Sequence, residues 1–144
     1  MLRIGKMTDY AFVVLQKLCD TPEESASATT VAERTGLPEP TASKVLKMLS
    51  KAGLVDSIRG AGGGYKPRKT ACQLSVLEVI EAIEGRVFFV DCVDDSHECT
   101  VGTNCILQGR WDPINQAIRK TLSDWTIKDL MENQNQFFKQ VIGG

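Results

Sequence analysis

Three thiols stand close together in the second half of the chain, spaced Cys92-x6-Cys99-x5-Cys105 and running through the acidic stretch DCVDDSHEC. Residues 86–104 around them have no sustained apolar period, and cysteines without such a period are poor core fillers. Five cysteines are an odd number, and in a reducing compartment they do not form a disulfide framework. The chemistry open to the three is that of thiolates. With His97, the only histidine, they could form a Cys3His zinc site. With another ligand they could hold an iron–sulfur cluster, and as free thiols they could respond to oxidation. Spacing alone does not choose among these. A helical pattern resumes at Cys105, and a helix N-terminus there would favour its thiolate form. Cys19 and Cys72 lie in apolar surroundings and read as small core residues.

A net charge of −1 over 144 residues hides an asymmetry. Residues 1–70 carry 11 Lys and Arg against 7 Asp and Glu, whereas residues 71–144 carry 6 against 11. Between Lys44 and Lys69 seven basic side chains stand against one acid, Asp56. A basic segment within an otherwise acidic chain points to a nucleic-acid face, because neutralising phosphates supplies most non-specific affinity.

The elements that must carry this face follow from apolar periodicity. Thr8 is an N-cap candidate for a first helix to about Cys19, with Phe12, Leu15 and Leu18 at helical spacing. A break around Pro22 leads to a short helix from about Thr30 to Thr35, with Gly36 as a left-handed stop. A third helix is expected from about Thr41 to Ala52, with Val45, Leu46 and Leu49 inward and Gly53 closing it. Two short helices joined by a tight glycine-bearing turn form the helix–turn–helix pattern. Glu39, Thr41, Ser43, Lys44 and Lys47 are then the expected DNA-facing side chains of a recognition helix.

The segment LVDSIRGAGGGYKPRK reads as strand, glycine-rich tip, strand. This predicts a wing, with Arg59 at its edge, Tyr65 and Lys66 beyond the tip, and an arginine suited to a minor groove. GAGGGYK lacks the spacing of a phosphate loop and is not followed by a helix. Ser75 and Glu78 make a capping box for a helix to about Gly85, with Leu77, Ile80 and Ile83 inward. From about Cys105 to Ser123 a further helix is expected through Leu107, Trp111, Ile114 and Ile118, disturbed near Pro113. Trp125, Ile127, Leu130 and Met131 suggest a last helical turn, and residues 133–144 a polar tail with Phe137 and Phe138.

Other classes fare poorly. No apolar run approaches the roughly 20 residues of a spanning helix, and MLRIGKMTDY does not look like a secretory signal. The expected setting is cytoplasmic, without a membrane. A lone histidine and no nucleophile–base pair argue against an enzyme or a small-molecule substrate.

MLRIGKMTDYAFVVL, VAERTGLPEPTASKVLKML, AGLVDSIRGAGGGYKPRK, LSVLEVIEAIEG and the three-cysteine segment, in this order, resemble the IscR/NsrR family of iron–sulfur transcription regulators. The likeness covers roughly residues 1–130 and is nearest the branch that controls iron–sulfur cluster assembly genes. It implies a mostly α fold with a small β-wing: a winged helix–turn–helix over 1–85, a cluster segment over 86–104, a long dimerisation helix region over 105–132, and a tail over 133–144. It implies a homodimeric repressor on a palindromic duplex operator, with Cys92, Cys99 and Cys105 holding the cluster. In one branch a histidine follows the last cysteine by three residues; here that position is Gln108, a weak ligand. In another branch an aspartate early in the first helix, from the partner subunit, completes the site, and Asp9 matches it. Asp9 also suits a helix N-terminus by charge alone, and His97, Glu98 or an external thiol remain alternatives. Cluster type, 2Fe–2S or 4Fe–4S, stays open.

Overall fold

The computed structural model describes residues 3–70, 73–90, 105–107 and 109–132. The main elements among the described residues are, in order, α1 (Lys6–Asp20), α2 (Ala28–Thr35), α3 (Glu39–Lys51), β1 (Val55–Ile58), β2 (Gly64–Pro67), α4 (Val76–Glu84) and α5 (Asp112–Asp124). The fold is mostly helical with a two-stranded antiparallel wing. Its core is built from Ala11, Val14, Leu15 and Leu18 of α1, Val31 of α2, Ala42, Val45, Leu46 and Leu49 of α3, and Val79 of α4.

α1 begins earlier than its sequence pattern suggests. Gly5, not Thr8, precedes its first turn, and Thr8 is fully buried. The Thr8 hydroxyl donates to Glu84 Oε1 at 2.5 Å, and the Gly5 N–H donates to the same oxygen at 3.0 Å. A buried hydroxyl needs a partner, and Thr8 finds one on α4 rather than capping its own helix.

α2 likewise starts at Ala28 rather than Thr30, because Ser27 caps it by accepting from the Thr30 N–H. Gly36 stops it with φ 74°, as expected. α3 starts at Glu39 rather than Thr41. Pro40 fits its first turn, where a missing N–H leaves no bond unmade.

The wing pairs Val55 with Pro67 through Ile58 with Gly64. A third segment joins it: the Ala26 N–H donates to Tyr65 O at 2.9 Å, and the Tyr65 N–H to Ala26 O at 2.8 Å. Gly64 permits this approach. Its φ is +150°, and a Cβ there would come within 2.5 Å of the Ala26 backbone.

The capping box of α4 is present on both sides. Its buried residues are Val76, Val79 and Ile80, while Leu77 and Ile83 are only half-buried. The helix expected to open at Cys105 instead opens at Asp112, with turns over 106–107 and 109–110 before it. Pro113 accounts for the shift. In a helix interior its ring would clash with the preceding turn, so it takes the first turn of a new helix. α5 is thus 13 residues long, shorter than the long helix expected.

After α5, Trp125–Ile127 runs alongside Leu74–Val76. The Val76 N–H donates to Trp125 O at 2.8 Å, and the Ile127 N–H to Leu74 O at 3.0 Å. Ile127 is 2% exposed in the same core as α1 and α3. Helical turns over 127–132 follow. Cys19 is half-buried against the core, as its surroundings suggest. Cys72, Phe137 and Phe138 lie outside the described residues.

Substituting Gly64→Ala is expected to destabilise the chain by about 1–3 kcal/mol, the usual cost of overpacking. Gly62→Ala, with nothing within 4 Å of its added Cβ, should be nearly neutral. Thermal melts of the two variants check this; equal midpoints would contradict it.

Candidate nucleic-acid interface and cysteine segment

α3 has two faces of opposite character. Ala42, Val45, Leu46 and Leu49 are entirely buried, while Glu39, Lys44, Lys47 and Lys51 are exposed. Pro40, Ser43 and Met48 complete a shallow groove along the lysines. Thr41 and Ser43 are half-buried. Glu39 is held at the start of the helix by the Thr29 hydroxyl of α2, which donates to its Oε1 at 3.1 Å.

The wing adds Arg59, exposed just past β1. Its other cations are engaged. Lys66 lies 3.6 Å from Glu23, Arg68 donates to Asp56 at 2.8 Å, and Lys69 donates to Glu78 at 2.5 Å. Burial pushes the Glu78 carboxyl up, but hydrogen bonds from Lys69 and Ser75 outweigh it and hold it below the ordinary 4.5. Tyr65 is half-buried, packed against the core, with its backbone paired to Ala26. Among the described residues no ion pair engages Lys44, Lys47, Lys51 or Arg59. Among the described residues, the seven cations of the basic segment therefore divide into four without an ion pair and three with one. Sequence spacing does not reveal this division, because Glu23 and Glu78 lie outside the segment. The Ser25 hydroxyl, which donates to Gly62 O at 2.7 Å and so braces the tip, carries no sequence signal at all.

The stem of the cysteine segment, residues 86–90, is pinned to two helices. The Val87 N–H donates to Glu81 Oε1 at 3.0 Å, and Arg119 of α5 donates to Glu81 and to Val87 O. The Phe89 N–H donates to Asn115 Oδ1 at 2.9 Å, and the Phe89 and Trp111 rings lie 5.6 Å apart. Burial raises the Glu81 carboxyl, yet the bonds from Arg119 and Val87 bring it below 4.5.

Cys105 is half-buried and precedes α5 by seven residues, so the expected helix N-terminus is not at its thiol. Cys92, His97, Glu98, Cys99 and Gln108 lie outside the described residues. Asp9 is exposed in the first turn of α1, on a groove shared with Phe12, Val13, Gln16, Ile127, Leu130 and Met131. Among the described residues no three His, Cys, Asp or Glu side chains are grouped to hold a metal.

Residues 4–133 match the Rrf2 family, described as iron-dependent transcriptional regulators. The chain belongs to the Rrf2 family. It is similar to NsrR of Oceanobacillus iheyensis, 28% identical over 137 residues, covering 94% of this chain and 93% of that one. The T. potens IscR structure aligns with a TM-score of 0.64 at 26% identity, covering 92% of this chain and 88% of that one. CymR, the global cysteine regulator of B. subtilis, aligns with a TM-score of 0.64 at 26% identity, over 90% and 96% of the two chains. This Rrf2 protein is a DNA-binding transcriptional regulator, and no helix among its described residues is long and apolar enough to cross a membrane.

Lys44→Ala and Lys47→Ala should each weaken duplex binding and flatten the slope of log K against log salt by about 0.9, the loss of one phosphate contact. Lys69→Ala should change the slope less, since its ammonium is already paired. Fluorescence anisotropy of a labelled duplex over a salt series measures this. Equal slopes for all three variants would refute the division of cations.

Proposed function

We propose that this Rrf2 protein is an iron–sulfur-cluster-responsive repressor of iron–sulfur cluster assembly genes, acting as a cytoplasmic homodimer on a palindromic duplex operator. The observation that carries the reading is the position of the three-cysteine segment. It is spliced between α4 and α5, its stem held by both helices and its last thiol half-buried outside any helix. The donor set fits an iron–sulfur cluster: Cys92, Cys99 and Cys105 offer soft thiolates, and the Cys105 sulfur is not part of the apolar core. Asp9, exposed on α1, is the fourth ligand in this reading, offered to the cluster of the partner subunit.

When bound, the cluster supplies a group whose charge and ligation change with redox state or cluster loss. The chain's own residues do the rest. Lys44, Lys47, Lys51 and Arg59 neutralise phosphates, Glu39, Thr41 and Ser43 lie at the major-groove end of α3, and Tyr65 and Lys66 support the wing. Residues 1–85 read the duplex, 86–104 sense, and the region from 105 to 132 pairs the subunits. In support of pairing, Pro113, Ile114, Ala117, Ile118, Thr121 and Leu122 line one apolar face of α5, and Ile114 is 46% exposed.

A second reading, thiol oxidation without a cluster, draws support from the likeness to CymR, named as a cysteine regulator. Anaerobic reconstitution with iron and sulfide separates the two. The cluster reading expects visible charge-transfer absorption, lost in the Cys92→Ala, Cys99→Ala, Cys105→Ala triple variant and altered in Asp9→Ala. Absorption that survives the triple substitution, or zinc without sulfide in anaerobically isolated protein, would overturn it. A reversible disulfide among these thiols with no absorption would favour the second reading.

A further inference from the structure

Three parts of the chain meet at one carboxylate. Glu81 belongs to α4, whose Val76, Val79 and Ile80 are buried in the DNA-binding half. Its Oε1 accepts from the Val87 N–H, on the stem of the cysteine segment, and from Arg119 of α5. Arg119 closes the triangle by donating to Val87 O at 2.9 Å. One turn earlier on α5, Asn115 is 7% exposed and accepts from the Phe89 N–H. Residues four apart share a helix face, so α5 grips the stem at Val87 and again at Phe89, and α4 shares the grip at Val87.

No other ion pair among the described residues joins the DNA-binding half to α5. Lys17–Asp20, Lys120–Asp124 and Lys128–Glu132 are single-turn pairs at the surface, worth little. Arg68–Asp56 and Lys69–Glu78 stay within the DNA-binding half. Glu81 and Arg119 are 27% and 28% exposed, and each also satisfies a stem backbone group. Removing one partner leaves the other half-buried and uncompensated. A stem that moves must therefore either carry α4 with it or break these bonds together.

We propose that Glu81 is the positioning residue that couples the cysteine segment and α5 to the DNA-binding half. The inference rests on reading residues 92–105 as the sensor, but not on what the thiols bind. Coupling is reciprocal at equilibrium: if the segment's conformation alters DNA affinity through Glu81, DNA must shift that conformational equilibrium by the same factor.

The test uses the full chain, reduced and cluster-free. Alkylation of Cys92, Cys99 and Cys105 by N-ethylmaleimide is timed by mass spectrometry, at one salt concentration, with and without a saturating duplex that the protein has selected from a random-sequence pool. In the unsubstituted protein the duplex is expected to change at least one rate by about fivefold or more, the lower end of ordinary coupling. In Glu81→Gln the same ratio should fall close to one while the duplex is still bound. If Glu81→Gln does not melt cooperatively, Arg119→Gln breaks the same junction from the α5 side and gives the reading. Full DNA dependence in the variant, or none in the unsubstituted protein, overturns the proposal. No cluster is present, so this failure is separate from a failure of the cluster reading, which reconstitution alone decides.

Discussion

Burying Ala42, Val45, Leu46 and Leu49 fixes the rotation of α3 about its own axis, and the DNA-facing chemistry depends on that angle. α3 packs against α1, α2 and α4, so its apolar stripe has no alternative seat. Each buried Val or Leu stabilises by about 1.5–3 kcal/mol, whereas an exposed charge pair contributes at most about 1 kcal/mol. Packing therefore wins over any electrostatic preference, and Lys44, Lys47 and Lys51 face outward as its consequence. The wing is set by a different constraint. Tyr65 pairs with Ala26 on one side and with Ser57 on the other, so the strand that carries Lys66 cannot slip without losing both.

Much of this was legible in residue order. The 3.6-residue periods of α1 and α3, Gly36 as a stop, the Ser75–Glu78 box and the glycine-rich wing are local signals, and each produced the expected element. The boundaries that moved did so for reasons local pattern does not carry. Thr8 looks like a cap until α4 brings Glu84 to its hydroxyl. The run from Cys105 looks helical until Pro113 is counted as a first-turn residue. For the candidate site, the basic segment was visible but its partition was not: Lys66 and Lys69 are paired by acids 43 and 9 residues away. Asn115 and Arg119 read as polar positions on an amphipathic helix, and only the fold turns them toward the stem at Val87 and Phe89.

The two halves of the chain are less separate than their opposite charge suggests. Ile127 returns to the core of the DNA-binding half, and Trp125–Ile127 is hydrogen-bonded to Leu74–Val76 at the start of α4. At the other end of α4, Glu84 ties down the start of α1, where Asp9 sits, while Glu81 holds the stem and α5. α4 thus touches both the stem of the cysteine segment and the start of the first helix. Its own packing against α1 and α3 leads from there to the recognition helix.

In the proposed reading, the state of the three-thiol segment governs DNA binding. The decisive quantity is the affinity of the cluster-loaded and the cluster-free protein for one selected duplex at one fixed salt concentration. The account predicts dissociation constants that differ by about fivefold or more, with the difference abolished in the triple cysteine variant. Equal affinities for the two forms would contradict it.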